Sequence, residues 1–266
     1  MAFKKATDII VLCELLLLSG LAVSGALDGI WADIAYIAAF VLPTVLGLYL
    51  GKRLGLKRGK VAISRRGMSF LLPIIFPAVL FIIGISVLTS FVLSKTGAEN
   101  SVTLYPTFAE NLIRHAIIPA VLEEALFRYL AISLMAEENR RGCILISSVT
   151  FALIHCNLFQ IPYAAFAGII FVTLDIILDS PIPSIILHMV NNTASVISLY
   201  YQKEGAVIIT VSALALISLV FVIPKRREYI SEIKRVFENE SKYKLSSSLI
   251  LIVLPTLIVS ILNIIG

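Results

Sequence analysis

Long apolar runs separated by short polar stretches dominate this 266-residue chain. Each run is close to the length of about 20 residues that a helix needs to cross a bilayer. We therefore expect an all-α fold, a polytopic bundle of eight to nine transmembrane helices. The pattern predicts these spans: Ile9–Leu27, Ile34–Leu50, Ser69–Leu93, Asn111–Met135, Cys143–Phe159, Pro162–Leu178, Pro183–Tyr200, Ala206–Ile223 and Ser246–Ile265.

The composition agrees with this pattern. Hydrophobic residues make up 59% of the chain and charged residues only 15%, whereas about a quarter of the residues in a soluble domain are charged. We expect an integral multi-pass membrane protein in which residues 1–266 form one membrane domain, with a motif-bearing core at about 111–200. The compact chain and its short loops favour a bacterial plasma membrane.

The distribution of Lys and Arg predicts the orientation, because cytoplasmic loops collect positive charge. With a cytoplasmic N-terminus, 18 of the 22 Lys and Arg residues fall on the inner side. Of the others, Lys95 and Lys203 lie in outer loops, and Arg114 and Arg128 lie within a span. The net charge of +5 then reflects topology and contact with anionic lipid headgroups, and we expect no nucleic-acid partner.

The longest polar stretch is the basic segment 224–245. Within it, Ile230, Ile233 and Phe237 recur at helical spacing among charged residues. The spacing predicts a cytoplasmic amphipathic helix that lies on the inner membrane surface. A solvated linker with little helix is the alternative.

Ionisable residues inside an apolar span mark the candidate site, since a charged side chain at the centre of a membrane helix costs about 2.5 to 3.5 kcal/mol. The fourth predicted span carries Glu123, Glu124 and Arg128. Glu124 and Arg128 are four residues apart, which predicts an ion pair on one helix face. Glu123 lies about 100° around the helix and is left as a candidate general base. In the alternative interpretation, both acids only bind Arg128 and a neighbouring helix.

Two of the three histidines of the chain lie in later spans. His155 ends an apolar run in the fifth span, and His188 shares a helix face with Asn192 in the seventh. A lone buried histidine is often a hydrogen-bonded core residue, which is the alternative for His155. The third histidine, His115, lies near the outer end of the fourth span, where we expect an interfacial role. The predicted depths of Glu123 and of these polar groups are comparable, so we expect one shared cavity that opens toward the cytoplasm.

Three short motifs occur in order on separate predicted helices. They are Glu123-Glu124-xxx-Arg128, Phe151-xxx-His155 and His188-xxx-Asn192. In these motifs the chain resembles the CPBP family of intramembrane proteases, which includes the CAAX proteases and bacteriocin-processing enzymes and is also called the type II CAAX prenyl endopeptidase or Abi family. The resemblance covers residues from about 115 to 195.

Two positions depart from the family pattern. Tyr129 stands where a Gly commonly follows the motif Arg. Asn191 precedes Asn192 and makes the last motif ambiguous, although only Asn192 keeps the one-turn spacing from His188 and Asn191 is expected to turn away.

The resemblance implies an intramembrane endopeptidase of the glutamate type. Glu123 and His155 would position and deprotonate the attacking water. His188 and Asn192 would donate hydrogen bonds to the oxyanion of the tetrahedral intermediate.

The resemblance also implies a supporting role for Glu124 and Arg128. The family is often described as a metalloprotease, and zinc held by Glu, two His and an oxygen ligand is the alternative to a metal-free mechanism. Asn is a poor zinc ligand, and the chain has no HExxH helix. We therefore expect no cofactor.

By resemblance, the substrate is the C-terminal tripeptide of a prenylated CAAX protein, or a leader, bacteriocin or pheromone precursor. The expected partners are thus a membrane-associated protein or peptide and the lipid bilayer, and the oligomeric state is left open. The alternatives are a non-catalytic bacteriocin-immunity or scaffold protein, and a proton-coupled transporter in which the buried acids and histidines form a relay. Glu14 in the first span has no assigned role; we expect it to line the same cavity or to pair with Arg114 or Asp175.

Overall fold

The computed structural model describes residues 2–55, 65–95, 102–238 and 246–265. These ranges contain ten helices and no strand, which confirms the all-α fold. The helices are α1 Ala2–Gly25, α2 Gly29–Arg53, α3 Arg65–Ser94, α4 108–136, α5 Arg140–Leu153, α6 Ile161–Leu178, α7 Ile182–Tyr201, α8 Glu204–Val222, α9 Arg226–Phe237 and α10 Ile250–Ile265.

Six helices in the described part of the chain are long and apolar enough to cross a membrane. They are α1, α2, α3 from Gly67 onward, α6, α7 and α8. Proline occurs inside α2 and α3, which membrane helices tolerate because neighbouring groups satisfy the freed backbone carbonyls. The chain is therefore an integral membrane protein; the count of eight to nine spans and the cytoplasmic N-terminus stay predictions.

Helix α4 corresponds to the fourth predicted span, and it alternates between two helical forms. Thr107 and Glu110 form a capping box at its start, with Thr107 Oγ1 accepting from the Glu110 N–H at 3.2 Å and Glu110 Oε2 accepting from the Thr107 N–H at 3.1 Å. Each π-helical turn holds an extra residue, and such turns are frequent at functional sites. The π-helical turns are Leu112–Ile117, Ala125–Leu130 and Ile132–Ala136, with α-helix at Phe108–Asn111 and Ile118–Glu124.

Helix α5 ends at Leu153, so the last six residues of the predicted span Cys143–Phe159 are not part of the helix and that end of the prediction is wrong. Cys156 has a positive φ of 47°, a conformation that does not continue a helix. The carbonyl of Asn157 then accepts two backbone hydrogen bonds, both of 2.9 Å, from the residues that lead into α6. The positive φ of Cys156 and the turn closed by the Asn157 carbonyl reverse the direction of the chain. His155 therefore lies in a turn between α5 and α6 rather than on a helix.

Helices α5 and α6 pack unusually closely beside this turn. A Cβ atom added to Gly168 on α6 would lie 2.8 Å from the Cα of Ser148 on α5. Glycine therefore permits the two backbones to approach, as small residues do at the interfaces of membrane helices. The contact fixes the position of the turn that carries His155.

The ninth predicted span, Ser246–Ile265, is only partly helical. Residues Ser247–Leu249 form a 3₁₀ turn, and α10 covers the 16 residues Ile250–Ile265. It is not among the six helices that meet the length requirement.

The basic segment 224–245 contains the predicted helix, α9, while residues 239–245 lie outside the described residues. Tyr229 and Val236 are buried against the protein, whereas Ile230 and Ile233 are about half exposed at 51% and 46%. The helix thus has one apolar side toward the bundle and another turned away from it. Its location at the membrane surface stays a prediction.

Successive helices run back and forth, so their termini gather at two opposite ends of the bundle. The end that we call the basic end holds the start of α1 and the adjoining ends of α2 and α3, of α4 and α5, of α6 and α7, and of α8 and α9. In the sequence, most of the Lys and Arg residues lie in or beside these helix ends. There the Tyr229 hydroxyl donates to the Phe70 carbonyl at 3.0 Å. Asp8 accepts hydrogen bonds from Ser246 and Ser248 at 2.5 and 2.6 Å.

The end that we call the far end holds the connections α1–α2, α3–α4 and α7–α8. Arg114 forms an ion pair with Asp33 there, which joins α4 to α2. The Tyr200 hydroxyl donates to the Pro106 carbonyl at 3.1 Å and joins α7 to the segment that precedes α4. The connection α5–α6 belongs to neither end, since it lies beside the cavity described below.

Candidate active site

The predicted ion pair between Glu124 and Arg128 is present. Arg128 Nε lies 3.0 Å from Glu124 Oε2, and both side chains have no solvent exposure. Removing two charges from water is costly, so their mutual attraction is needed to hold either one in this interior. The pair anchors the first motif to the core of the bundle.

His188 connects the ion pair to the other acid of the motif. Its Nδ1 lies 2.7 Å from Glu124 Oε1, and its Nε2 lies 3.9 Å from Glu123 Oε2. Because Arg128 holds Glu124 as a carboxylate, Glu124 accepts and His188 Nδ1–H donates. Oε2 of Glu123 has no hydrogen-bond partner among the described residues, which leaves it available to a substrate or to water.

His155 is half-buried, and its ring is oriented by the backbone. Its Nδ1 lies 2.8 Å from the Phe151 carbonyl, which is an acceptor, so Nδ1 carries the hydrogen. The neutral ring then has its lone pair on Nε2. Glu123 lies close enough to act on His155 electrostatically.

Phe151 contacts all three motifs. Its ring lies 3.9 Å from the guanidinium carbon of Arg128, a cation–π contact. The same ring packs edge-on against His155 and His188, with centroid distances of 5.1 and 5.8 Å. The Phe of the second motif is therefore the apolar centre around which the charged and polar groups are arranged.

Asn191 and Asn192 both face the site. Asn192 Nδ2 donates to the His115 carbonyl at 3.2 Å, and Asn191 Nδ2 donates to Asn192 Oδ1 at 3.3 Å. The expectation that Asn191 turns away is therefore wrong. The hydrogen bond to the His115 carbonyl holds Asn192 against α4.

One cavity of about 670 Å³ brings the predicted residues together. Its deep part is lined by Glu123, Phe151, His155, His188, Asn191 and Asn192. Glu124 and Arg128 lie beneath this surface and do not line the cavity. His115 lines it as well, and its interfacial role stays a prediction. Helices separated by up to 70 residues in sequence thus place the three motifs around a single space.

The cavity runs from these residues to the far end of the bundle. Its outer part is lined by Ser24, Asp33, Tyr105, Ser195, Leu199 and Glu204, among others. Among the described residues, those that line the cavity come from this end and from the interior, and none comes from a connection at the basic end. With a cytoplasmic N-terminus, this direction is opposite to the predicted cytoplasmic opening.

The family model described as type II CAAX prenyl endopeptidase Rce1-like matches residues 105–194, about a third of the chain. The predicted resemblance is confirmed. The matched range contains all three motifs and nearly half of the cavity-lining residues, including all those of its deep part. Neither the curated proteins nor the solved structures gave a match. The chain is thus an integral membrane protein, and its residues 105–194 are similar to the Rce1-like endopeptidase family.

Sequence reasoning assigned no role to Asp175. In the structure this residue lies beneath the site. Its carboxylate accepts from the Ser184 N–H at 3.0 Å and from the Ser184 hydroxyl at 2.6 Å. It is fully buried and close enough to Arg128 to act on it electrostatically. Asp175 thus links the end of α6 to the start of α7 and adds a second carboxylate near the buried guanidinium. An acid inside an apolar span was the available signal.

Neither expected role of Glu14 is found. Glu14 is buried beside Thr150 and is not among the residues that line the cavity. Arg114 pairs with Asp33 instead, and Asp175 binds the start of α7.

The metal alternative requires several ligating side chains to lie together around one point. Among the described residues, no three side chains of His, Cys, Asp or Glu are placed together as metal ligands would be. Nδ1 of His155 and Nδ1 of His188 both hold hydrogen bonds, which leaves Nε2 of each ring as the nitrogen that could bind a ligand. The absence of a cofactor therefore stays a prediction, and zinc stays its alternative.

Proposed function

We propose that this protein is an intramembrane endopeptidase that hydrolyses a peptide bond in a membrane-associated protein or peptide. One observation carries the proposal: Glu123, His155, His188 and Asn192 line the same cavity. The match to an Rce1-like endopeptidase family supports a CAAX-type protease activity.

Glu123 and His155 activate the attacking water. Glu123 Oε2 has no partner among the described residues and accepts one water hydrogen. His155 presents the lone pair of Nε2, because its Nδ1–H is held by the Phe151 carbonyl. A general base positioned in this way contributes about 10²- to 10⁴-fold to the rate. The proton taken from water passes to the leaving amine as the tetrahedral intermediate collapses.

His188 and Asn192 stabilise the oxyanion. The Nδ2 of Asn192 donates in the resting site to a backbone carbonyl, so it is a donor already directed into the cavity wall. Because Nδ1 of His188 donates to Glu124, its Nε2 donates to an oxyanion in the doubly protonated form of the ring. Glu124 Oε1 and Glu123 Oε2 lie 2.7 and 3.9 Å from the two ring nitrogens, so each is placed to accept from a protonated nitrogen.

Glu124 and Arg128 act through His188 rather than on the substrate. The ion pair fixes Glu124 as an acceptor, and Glu124 then fixes the orientation of the imidazole. This is the role that a carboxylate plays toward a histidine in other hydrolases. Both side chains are positioning residues.

The substrate classes that fit the proposal are the C-terminal tripeptide of a prenylated protein and a leader, bacteriocin or pheromone precursor. All are peptides held at a membrane. No cofactor enters the proposed steps. Cleavage that persists after treatment with EDTA and 1,10-phenanthroline is expected, and loss of cleavage that added zinc restores would replace this mechanism with the metal alternative.

The proposal is tested by cleavage of membrane-tethered peptides, prenylated and unprenylated, with detergent-purified protein. Glu123→Ala and His155→Ala are each expected to abolish cleavage, because each removes a group that handles the water. Glu110→Ala serves as the matched control, since Glu110 is an acid on the same helix that does not line the cavity.

Function that is retained in both variants would contradict the proposal. A protein whose effect in cells survives both Glu123→Ala and His155→Ala is not a protease of this kind. The non-catalytic immunity or scaffold function would then take its place, and a relay of protons measured across the membrane would point to the transporter instead.

A further inference from the structure

The two ends of the bundle differ strongly in charge. In the sequence, the start of α1 and residues 52–66, 137–141, 179–181 and 224–245, which belong to the basic end or adjoin it, carry 18 Lys and Arg residues against eight Asp and Glu residues. The sequences of the far end carry Lys95, Lys203 and Arg114 against five acidic residues. An excess of Lys and Arg in short loops identifies the cytoplasmic side of a membrane protein. This asymmetry places the basic end in the cytoplasm.

The cavity approaches the other side. Along α7, the residues that line it run from His188 through Asn192 and Ser195 to Leu199, near the end of the helix. Eleven residues of helix separate His188 from Leu199, a distance of about 16 Å at 1.5 Å per residue. The proposed chemistry therefore lies about one half of a bilayer below the far end, and the route to it begins there.

The walls of this route suit an uncharged or basic extended peptide. Arg114, the cation in the outer wall, is paired with Asp33 and lies over the ring of Tyr105. The wall also contains Tyr36, and Glu204 stands at the rim. An extended chain rises about 3.3 Å per residue, so about five residues reach from the rim to His188. A free C-terminal carboxylate entering by this route would meet no unpaired cation among the described lining residues.

We infer that the substrate enters from the extracytoplasmic face. The inference rests on the proposed function and narrows its substrate class. The scissile bond then belongs to an exported, membrane-anchored peptide or to the outward-facing segment of a membrane protein. The C-terminal tripeptide of a prenylated cytoplasmic protein would reach the bundle at the basic end, on the wrong side.

Cysteine labelling tests the access route without using activity. In a chain with Cys13, Cys143 and Cys156 replaced by alanine, single cysteines are placed at Ser195 in the cavity wall, at Lys203 at the far end and at Arg227 at the basic end. Lys203 and Arg227 are exposed, and Ser195 is an exposed residue of the wall. A membrane-impermeant maleimide is applied to intact cells and to permeabilised cells.

The expected result is labelling of Ser195→Cys and Lys203→Cys in intact cells, with Arg227→Cys labelled only after permeabilisation. Labelling of Ser195→Cys only together with Arg227→Cys would overturn the inference, because the cavity would then open to the cytoplasm. Labelling of Ser195→Cys from neither side would overturn it as well, since the cavity would have no aqueous entrance.

Cleavage in sealed vesicles separates this inference from the proposed function. A palmitoylated peptide that detergent-purified protein cleaves is added to right-side-out and to inverted vesicles that contain the wild type or Glu123→Ala. We expect Glu123-dependent cleavage in right-side-out vesicles and at least a tenfold lower rate in inverted vesicles. Faster cleavage in inverted vesicles overturns the entry route and leaves the protease intact. Absence of Glu123-dependent cleavage in detergent, where both faces are accessible, refutes the protease and not the route.

Discussion

His188 donates its Nδ1–H to Glu124 Oε1 at 2.7 Å, across 64 positions of sequence. The contact joins α4 to α7 and determines which nitrogen of the imidazole faces Glu123. Since Glu124 is simultaneously paired with Arg128, the three groups form one buried chain of charge and hydrogen bonds. A change at any one of them is therefore expected to act on both stability and catalysis.

Glu124→Gln is expected to lower the stability of the protein and its activity together. Breaking a buried ion pair from one side costs about 3 to 5 kcal/mol, because the remaining charge is left uncompensated. Arg128 would be that charge. Thermal unfolding in detergent and the rate of peptide cleavage measure the two effects.

A double variant separates these effects. Glu124→Gln combined with Arg128→Met removes both charges, so the melting temperature is expected to recover most of what the single change lost. Activity is not expected to recover, because the imidazole of His188 no longer has a carboxylate to orient it. Recovery of cleavage along with stability would show that the pair is only structural.

Asn192→Ala is expected to lower kcat by about 10²- to 10³-fold with little change in KM, as removal of an oxyanion donor does. Asn191→Ala is the matched comparison, because Asn191 reaches the cavity but contacts Asn192 rather than α4. We expect a smaller loss, through the position of Asn192. Steady-state kinetics on one tethered peptide decides between them, and a larger effect at Asn191 would reassign the oxyanion donor.

Phe151→Leu is expected to reduce both stability and activity. The change keeps an apolar side chain but removes the aromatic face under Arg128, a contact worth about 0.5 to 2 kcal/mol. It also frees the rings of His155 and His188 on either side. Phe166→Leu makes the same chemical change on α6, where the ring is 44% exposed and packs against Phe81. Equal shifts in melting temperature and rate for the two variants would contradict a special role for Phe151.

Gly168→Ala is expected to destabilise the protein by about 1 to 3 kcal/mol, the usual cost of overpacking. The new Cβ would lie 2.8 Å from the backbone of Ser148, so α5 and α6 must separate and the turn that carries His155 must move. Gly84→Ala on α3 is the control, because a Cβ there has no neighbour within 4 Å. Melting temperatures of the two variants are compared, and an unchanged value for Gly168→Ala would argue against the close approach.

The apolar runs and the local motifs were sufficient to predict several features of this protein. Helical spacing alone predicted the ion pair between Glu124 and Arg128, since residues four apart share a helix face whatever surrounds them. The same local signals predicted six spans that the structure confirms by length and composition, and the helix at Arg226–Phe237. Motif order identified the family resemblance over residues from about 115 to 195, and the family model matches residues 105–194.

Contacts between distant segments were decided only by the tertiary structure. The hydrogen bond from His188 to Glu124, the ring of Phe151 under Arg128 and the inward position of Asn191 depend on how α4, α5 and α7 pack. The direction of the cavity likewise depends on which helix ends separate and which close. Hydrophobic periodicity reports only that a helix face is apolar, and every such face fits several neighbours; packing selects one of them.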